Sequence, residues 1–423
     1  MKYTKKDLGS MNLHLINTDK LKTITVRVIF HTPIKKEEIT KRALLSDILL
    51  QSSKKYDSRR NMIIASEDLY DVDIAANNQR LGNYIFTGFN MQVLKDEYTE
   101  NGNLEKAIEF LSEIVLNPDI ENKNFDKEML ELVKHNAKVN FDSLKEKTGA
   151  YSLIRLKEAF AKDSPISYRI MGYSEDLKDI NTENLYETYF KMIDNDYVDI
   201  FVVGDFDNKE MLSLIKKYFK FKKIKKNKAP YMLDYIKPRK RRLIAKETTD
   251  NTQSKLAIAA PINKLTPYER NYALVIANLI FGGGVDSKLF KEVREEHSLC
   301  YTIRSFVDRL DNLLIINAGI DRVNFTKTTK LISEKLEDMK KGKFTESDIA
   351  KAKEYYFSSL EDIDENENKM INEILSQEIL NIEPLKEKIE LMEKVRKQDI
   401  VRVCKKINID TIFLLEGGNY EEN

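Results

Sequence analysis

Lys22-Thr23-Ile24-Thr25-Val26-Arg27-Val28-Ile29-Phe30 decides the fold, because the elements that follow it come twice. Ile24, Val26, Val28 and Phe30 alternate with polar or outward positions, which predicts a strand. A helical pattern over 36–52 comes next, with Ala43, Leu44, Ile48 and Leu49 on one face. A short helix over 59–69 follows, then strands over 70–77 and 83–93. Helical patterns over 104–115 and 123–161 lead to a closing strand, Asp199-Ile200-Phe201-Val202-Val203-Gly204-Asp205.

The same order starts again at Leu256-Ala257-Ile258-Ala259-Ala260. A helix over 267–280 opens with Pro267, where a missing N–H costs little. A short helix over 287–297, strands over 299–306 and 312–320, and helices over 325–339 and 346–380 follow. Asp410-Thr411-Ile412-Phe413-Leu414-Leu415-Glu416-Gly417-Gly418 closes the second half as Val203-Gly204 closes the first. Strands in a block and then helices in a block predict an α+β class. The expected architecture is two homologous domains, each a mostly antiparallel sheet covered by helices on one face. Their expected bounds are 1–225 and 243–423, joined by a linker over 226–242. Lysines together with Pro230 and Pro238 make that connector read as solvated chain.

Length and composition fit this division. The chain has 423 residues, and domains hold roughly 150 each. Lys plus Arg number 70 against 69 Asp plus Glu, so no global charge marks a nucleic-acid binder. Cys300 and Cys404 stand far apart and outside any C-x-x-C, which predicts a reducing, cytoplasmic setting without disulfides. The basic start Met1-Lys2-Tyr3-Thr4-Lys5-Lys6-Asp7 precedes no apolar stretch and does not read as a signal peptide. No run reaches the ~18 apolar residues of a membrane span.

One stretch in the second half is more specific than periodicity. It runs Gly282-Gly283-Gly284-Val285-Asp286-Ser287-Lys288-Leu289-Phe290-Lys291-Glu292-Val293-Arg294-Glu295-Glu296-His297-Ser298-Leu299-Cys300-Tyr301. It resembles the insulinase/pitrilysin zinc peptidases, which include the mitochondrial processing peptidase subunits. Family members carry a glycine-containing loop, then Ser-Arg-Leu-Phe, Arg-Glu and Gly-Leu-Ala-Tyr. Arg294 and Tyr301 fall on the family's Arg and Tyr, whereas Lys288 replaces an Arg and Ser298 a Gly. If the turn keeps a positive φ, Ser298 bears a steric cost there. Thr40-Lys41-Arg42-Ala43-Leu44-Leu45, Lys54-Lys55-Tyr56 and Glu67-Asp68-Leu69-Tyr70-Asp71 resemble one bacterial subgroup. Its members are associated with elongation factor P aminopentanol modification.

Catalytic members place H-x-x-E-H on the first long helix, with both imidazoles facing zinc and the Glu activating bound water. Aligned on Lys54-Lys55-Tyr56, the ligand positions fall on Ala43 and Asp47 and the base position on Ser46. The third ligand is expected within 128–135, which holds Glu128, Glu131 and His135. The four histidines, His14, His31, His135 and His297, are too far apart in sequence for any two to share a helix face. The motif is therefore degenerate, and neither a metal nor another cofactor is expected. No P-loop and no G-x-S-x-G compete with this reading.

The resemblance implies a non-catalytic subunit that pairs with a homologous zinc-bearing chain and handles peptide or unfolded polypeptide. Gly282, Gly283, Gly284, Arg294 and Tyr301 are the substrate-contact residues it implies. Glycines allow close approach of an extended chain, and Arg and Tyr donate to peptide carbonyls. Two other functions stay open from sequence: a stand-alone peptide-binding scaffold, and a hydrolase with a non-standard metal site.

Overall fold

The structure is a computed structural model and describes residues 2–222 and 229–418. The expected domain boundary at 225/226 lies outside the described residues. Among the described residues the chain forms two compact units, one assembled from 1–142, 169–230 and 362–374, the other from 143–168, 231–361 and 375–423.

The main sheet of the first unit holds six strands: β1 (Lys2–Asp7), β2 (Asn12–Asn17), β3 (Thr23–Pro33), β4 (Asp73–Leu81), β5 (Tyr84–Leu94) and β6 (Tyr197–Gly204). They lie in the order β1-β2-β6-β3-β5-β4, antiparallel except for the parallel pair β2/β6. Its helices are α1 (Lys36–Ile48), α2 (Arg59–Glu67), α3 (Asn103–Leu116) and α4 (Lys127–Asp142). After α5 (Thr148–Phe160), which belongs to the other unit, come α6 (Thr182–Asn195) and α7 (Asn208–Tyr218). Leu44, Leu45 and Ile48 of α1 and Ile108, Leu111 and Val115 of α3 bury their apolar faces with Val26, Val28 and Phe30 of β3.

The second unit holds β7 (Leu243–Thr249), β8 (Ser254–Pro261), β9 (Cys300–Asp308), β10 (Leu313–Ile320) and β11 (Thr411–Gly417). Their order, β7-β11-β8-β10-β9, repeats β2-β6-β3-β5-β4 strand for strand. The parallel pair recurs too, as β7/β11. The helices are α8 (269–283, with wider turns over Glu269–Ala273 and Leu279–Gly283), α9 (Leu289–Glu296) and α10 (Phe325–Lys340). They continue as α11 (Glu346–Ser358), α12 (Glu367–Leu380), α13 (Leu385–Glu393) and α14 (Lys397–Cys404). The topology is that of two copies of one α+β unit.

Two helices are shorter than the sequence pattern predicts. The pattern over 123–161 breaks into α4 and α5, and the pattern over 346–380 breaks into α11 and α12. Both breaks fall where the chain leaves one unit for the other, at 142/143 and 361/362. Amphipathic period alone cannot register a change of target sheet, so the two patterns run on. On arrival, α5 buries Tyr151, Leu156 and Phe160 against Ala257, Ala259, Leu313, Ile315, Phe413 and Leu415. These residues alternate with Leu256, Ile258, Leu314, Ile316, Ile412 and Leu414, which face the main helix layer. Strands buried on both faces read as continuous apolar runs, and β8, β10 and β11 do so. In return, Met370, Ile371 and Ile374 of α12 are buried in the first unit. Lys20 bonds Asp364 and Glu365 there.

Candidate functional site

α1 is fixed rigidly before it reaches the motif positions. Arg42, fully buried, forms a two-pronged pair with Asp196 at 2.6 and 3.0 Å. Thr40 bonds the Asp176 carboxylate and accepts from the backbone N–H of Tyr173 at 3.1 Å. The next turn carries Ala43, Ser46 and Asp47 into a cleft of about 250 Å³, walled by β4 through Ala76, Asn77 and Asn78 and by α4 through Ala137, Asn140 and Phe141.

The donor set of this cleft does not suit zinc. Ala43 offers no ligand atom. The Ser46 hydroxyl donates to the Ala43 carbonyl at 2.8 Å and accepts from Asn78 Nδ2 at 2.8 Å. Asn78 Oδ1 in turn accepts from Thr87 Oγ1 at 2.7 Å, so a closed amide–hydroxyl chain stands at the base position. Asp47 is exposed by surface area, yet the surrounding protein mass desolvates its carboxyl and raises its pKa. Glu128, Glu131 and His135 do not supply the third ligand. They are exposed, and α4 turns Ala137, Asn140 and Phe141 to the cleft instead. Among the described residues, no group of three or more His, Cys, Asp or Glu is placed to hold a metal ion.

The sequence reading missed where two of the histidines go. His14 on β2 and His31 on β3 point to one buried carboxylate, Asp199 on β6, at 3.0 and 2.5 Å. Tyr3 on β1 sits 2.8 Å from His14 Nδ1, and Asn12 donates to the same carboxylate at 2.9 Å. Burial opposes the Asp199 charge, but the hydrogen bonds and charge of the two imidazoles hold its pKa well below the ordinary value. No sequence motif announces this cluster, because strand pairing alone brings residues 14, 31 and 199 together.

In the second unit, the glycines end α8. A Cβ on Gly282 would meet Leu289 Cδ1 and Ser305 Oγ at 2.7 Å, one on Gly283 would meet Asn278 Nδ2 at 2.5 Å, and one on Gly284 would meet the Leu279 carbonyl oxygen at 2.9 Å. Close approach is thus already used by the molecule's own packing. Beyond them lies a second cleft of about 350 Å³, walled by Leu279, Val285, Ala352 and Tyr355 between the end of α8 and α11. By element order it corresponds to the α1/α4 cleft of the first unit.

Arg294 is exposed on α9, its guanidinium over the Phe290 ring at 4.6 Å. Tyr301 is 57% exposed at the start of β9, and its hydroxyl donates to Asp321 at 3.2 Å. Between them Ser298 has φ +50°. Ser298 N–H bonds the Arg294 carbonyl at 3.1 Å, an αL termination of α9, and Leu299 N–H bonds the Val293 carbonyl at 3.0 Å in a wider turn beyond it. The expected positive φ at this serine is present. His297 Nδ1 lies 2.7 Å from the Glu292 carbonyl oxygen, closing the same helix end.

Fold and cleft together fit a two-domain relative of the zinc peptidases with no metal-binding group of side chains among the described residues. The family description "Peptidase M16 inactive domain" matches residues 179–356. The chain is 30% identical over 418 residues to the "Probable inactive metalloprotease YmfF" of Bacillus subtilis, covering 97% of this chain and 96% of that protein. It is also similar to an "Uncharacterized zinc protease" of Mycobacterium leprae, at 23% over 265 residues, 60% of this chain and 56% of the relative. A crystal structure of a conserved protein from Enterococcus faecalis superposes with TM-score 0.89 at 28% identity, covering 99% of this chain and 100% of that one. A "peptidase M16 inactive domain" structure from Pseudomonas fluorescens superposes with TM-score 0.80 at 16% identity, over 99% and 98% of the two chains. The chain belongs to the peptidase M16 family, as a catalytically degenerate, insulinase-like member.

Proposed function

We propose that the chain is the non-catalytic subunit of a two-chain insulinase-family peptidase. It supplies chamber walls and peptide contacts, and a homologous partner bearing H-x-x-E-H supplies the zinc. One observation supports this reading: the α1/β4/α4 cleft is lined by Ala43, Ser46 and Asp47, the positions to which the family resemblance assigns the metal ligands and the base. A cleft without chemistry still binds. β4 is an edge strand beside it, suited to pairing with an extended chain. In the second unit, Arg294 and Tyr301 are exposed donors that can reach peptide carbonyls. Among the described residues no helix is long and apolar enough to cross a membrane.

The test is co-expression with an H-x-x-E-H homologue from the same cell. The expected outcome is a 1:1 complex burying more than ~1,000 Å² between subunits. Turnover of a mixed peptide library should require both chains. If the homologue cleaves equally well alone and the two do not co-elute at micromolar concentration, the subunit reading fails. Peptide capture by this chain alone would then favour the scaffold.

A further inference from the structure

Among the described residues, strand β7 is one of the two edges of the second sheet and is paired only with β11. The phase of that pairing is fixed at both ends. Leu243 N–H bonds the Asp410 carbonyl at 2.9 Å, and the Thr249 carbonyl accepts from Gly418 N–H at 3.1 Å. In a strand, a residue's N–H and C=O point to the same side, and the side alternates along the chain. Leu243, Ala245, Glu247 and Thr249 therefore face β11. Ile244, Lys246 and Thr248 turn their backbone groups outward, with exposed side chains, Ile244 at 53%. Among the described residues, no hydrogen bond engages those outward groups.

The chain enters this edge through Lys237-Pro238-Arg239-Lys240-Arg241-Arg242. Arg239 holds the run in place: its guanidinium and backbone N–H grip Asp410, and Nη2 bonds the Phe160 carbonyl at 2.9 Å at the end of α5. The neighbours are not neutralised in this way. Among the described residues, Lys237, Lys240 and Arg241 form no ion pair, and Arg242 donates only to the Ser333 hydroxyl at 3.1 Å. Lysines on an edge can merely discourage aggregation. Here the cations stand at one end of the edge, while its centre offers an exposed isoleucine and open backbone groups.

We propose that β7 is a docking edge for an extended acidic segment of a partner protein, added as an antiparallel strand. Antiparallel addition brings the C-terminal end of the incoming strand to the start of β7, so its carboxylates belong after its alternating apolar part. The open N–H and C=O groups favour a polypeptide over a nucleic acid, which cannot use them.

The probe is a fluorescein-labelled peptide, TVTVTEEEE, titrated into the full chain and read by anisotropy. TVTVTKKKK and a twelve-nucleotide oligo(dT) serve as controls. Saturable binding of the acidic peptide alone, weakened by salt, is expected. K240E/R241E should weaken it about tenfold or more. I244P removes an outward N–H but no ladder bond, and should weaken it similarly at an unchanged thermal midpoint. Should I244P lower that midpoint, T248P makes the same test further along the edge. The proposal is overturned if the acidic peptide does not bind, if oligo(dT) binds as well as the peptide, or if a folded proline variant binds it undiminished.

Discussion

Ser298 shows how one residue can be read twice. The sequence places it where relatives carry glycine, and the structure gives it φ +50° at the C′ position of an αL helix termination. A left-handed conformation costs a non-glycine residue about 1–2 kcal/mol, and glycine's greater unfolded-state entropy returns part of that. Ser298→Gly should therefore stabilise the protein by about 0.5–1 kcal/mol, measured as a raised urea midpoint at constant m-value. Asp199 is the opposite case, a buried carboxylate held between two imidazoles. Its depressed pKa contributes stability that is present above the unfolded-state pKa and is lost as pH falls through the lower folded value. Asp199→Asn should cost about 3 kcal/mol or more at neutral pH, because a partner of buried donors loses its charge. It should also flatten the acid limb of the stability–pH curve. Both effects can be read from unfolding curves at pH steps below neutrality.

The degenerate cleft permits a constructive test on the same scale. The triple variant A43H/S46E/D47H restores the first-helix motif but leaves Asn140 and Phe141 opposite it. It should bind zinc weakly. Adding N140E supplies a carboxylate from α4 and should tighten zinc binding severalfold in calorimetric titration, since three protein ligands with water in the fourth position complete a catalytic-type zinc site. Equal affinities for the triple and quadruple variants would show that Asn140 is not the third-ligand position.

At the scale of elements, the strand–helix order was legible because each element carries its own period. Thr23–Pro33, Tyr84–Leu94 and Thr411–Gly417 stand within a few residues of their predicted spans. Leu243–Thr249 was not legible. It alternates half-buried and exposed residues with little apolar contrast, as edge strands do. Nor was the exchange at 142/143 and 361/362, because an amphipathic helix states that it has an apolar face and not which sheet receives it. This has a consequence for dissection. A fragment spanning 231–418 lacks α5, leaving Ala257, Ala259, Leu313, Ile315, Phe413 and Leu415 uncovered. Each large apolar side chain so exposed forfeits about 1.5–3 kcal/mol. The fragment should aggregate or bind hydrophobic dye, and fusion of residues 143–168 to its N-terminus should restore a cooperative melt. A stable, dye-negative fragment without 143–168 would show that α5 is dispensable.

For the whole molecule, the question is which surviving residues serve the proposed partnership and which serve only the fold. The sequence makes the glycines the natural target, but Cβ atoms at Gly282, Gly283 and Gly284 run into Leu289, Ser305, Asn278 and the Leu279 carbonyl. Alanine at Gly282 should lower stability by about 1–3 kcal/mol through overpacking, so any loss of function there is ambiguous. Arg294 and Tyr301 are the cleaner probes, because each is exposed and holds only light contacts, with Phe290 and Asp321. Arg294→Ala and Tyr301→Phe should change stability by less than about 0.5 kcal/mol. In the complex with a zinc-bearing homologue, they should leave co-elution intact and raise KM for peptide cleavage, with a smaller change in kcat. Contacts made to the peptide backbone in both ground and transition states act on binding, which predicts that split. An unchanged KM in both variants, with the complex intact, would place the peptide elsewhere in the chamber and leave these two side chains as surface residues of α9 and β9.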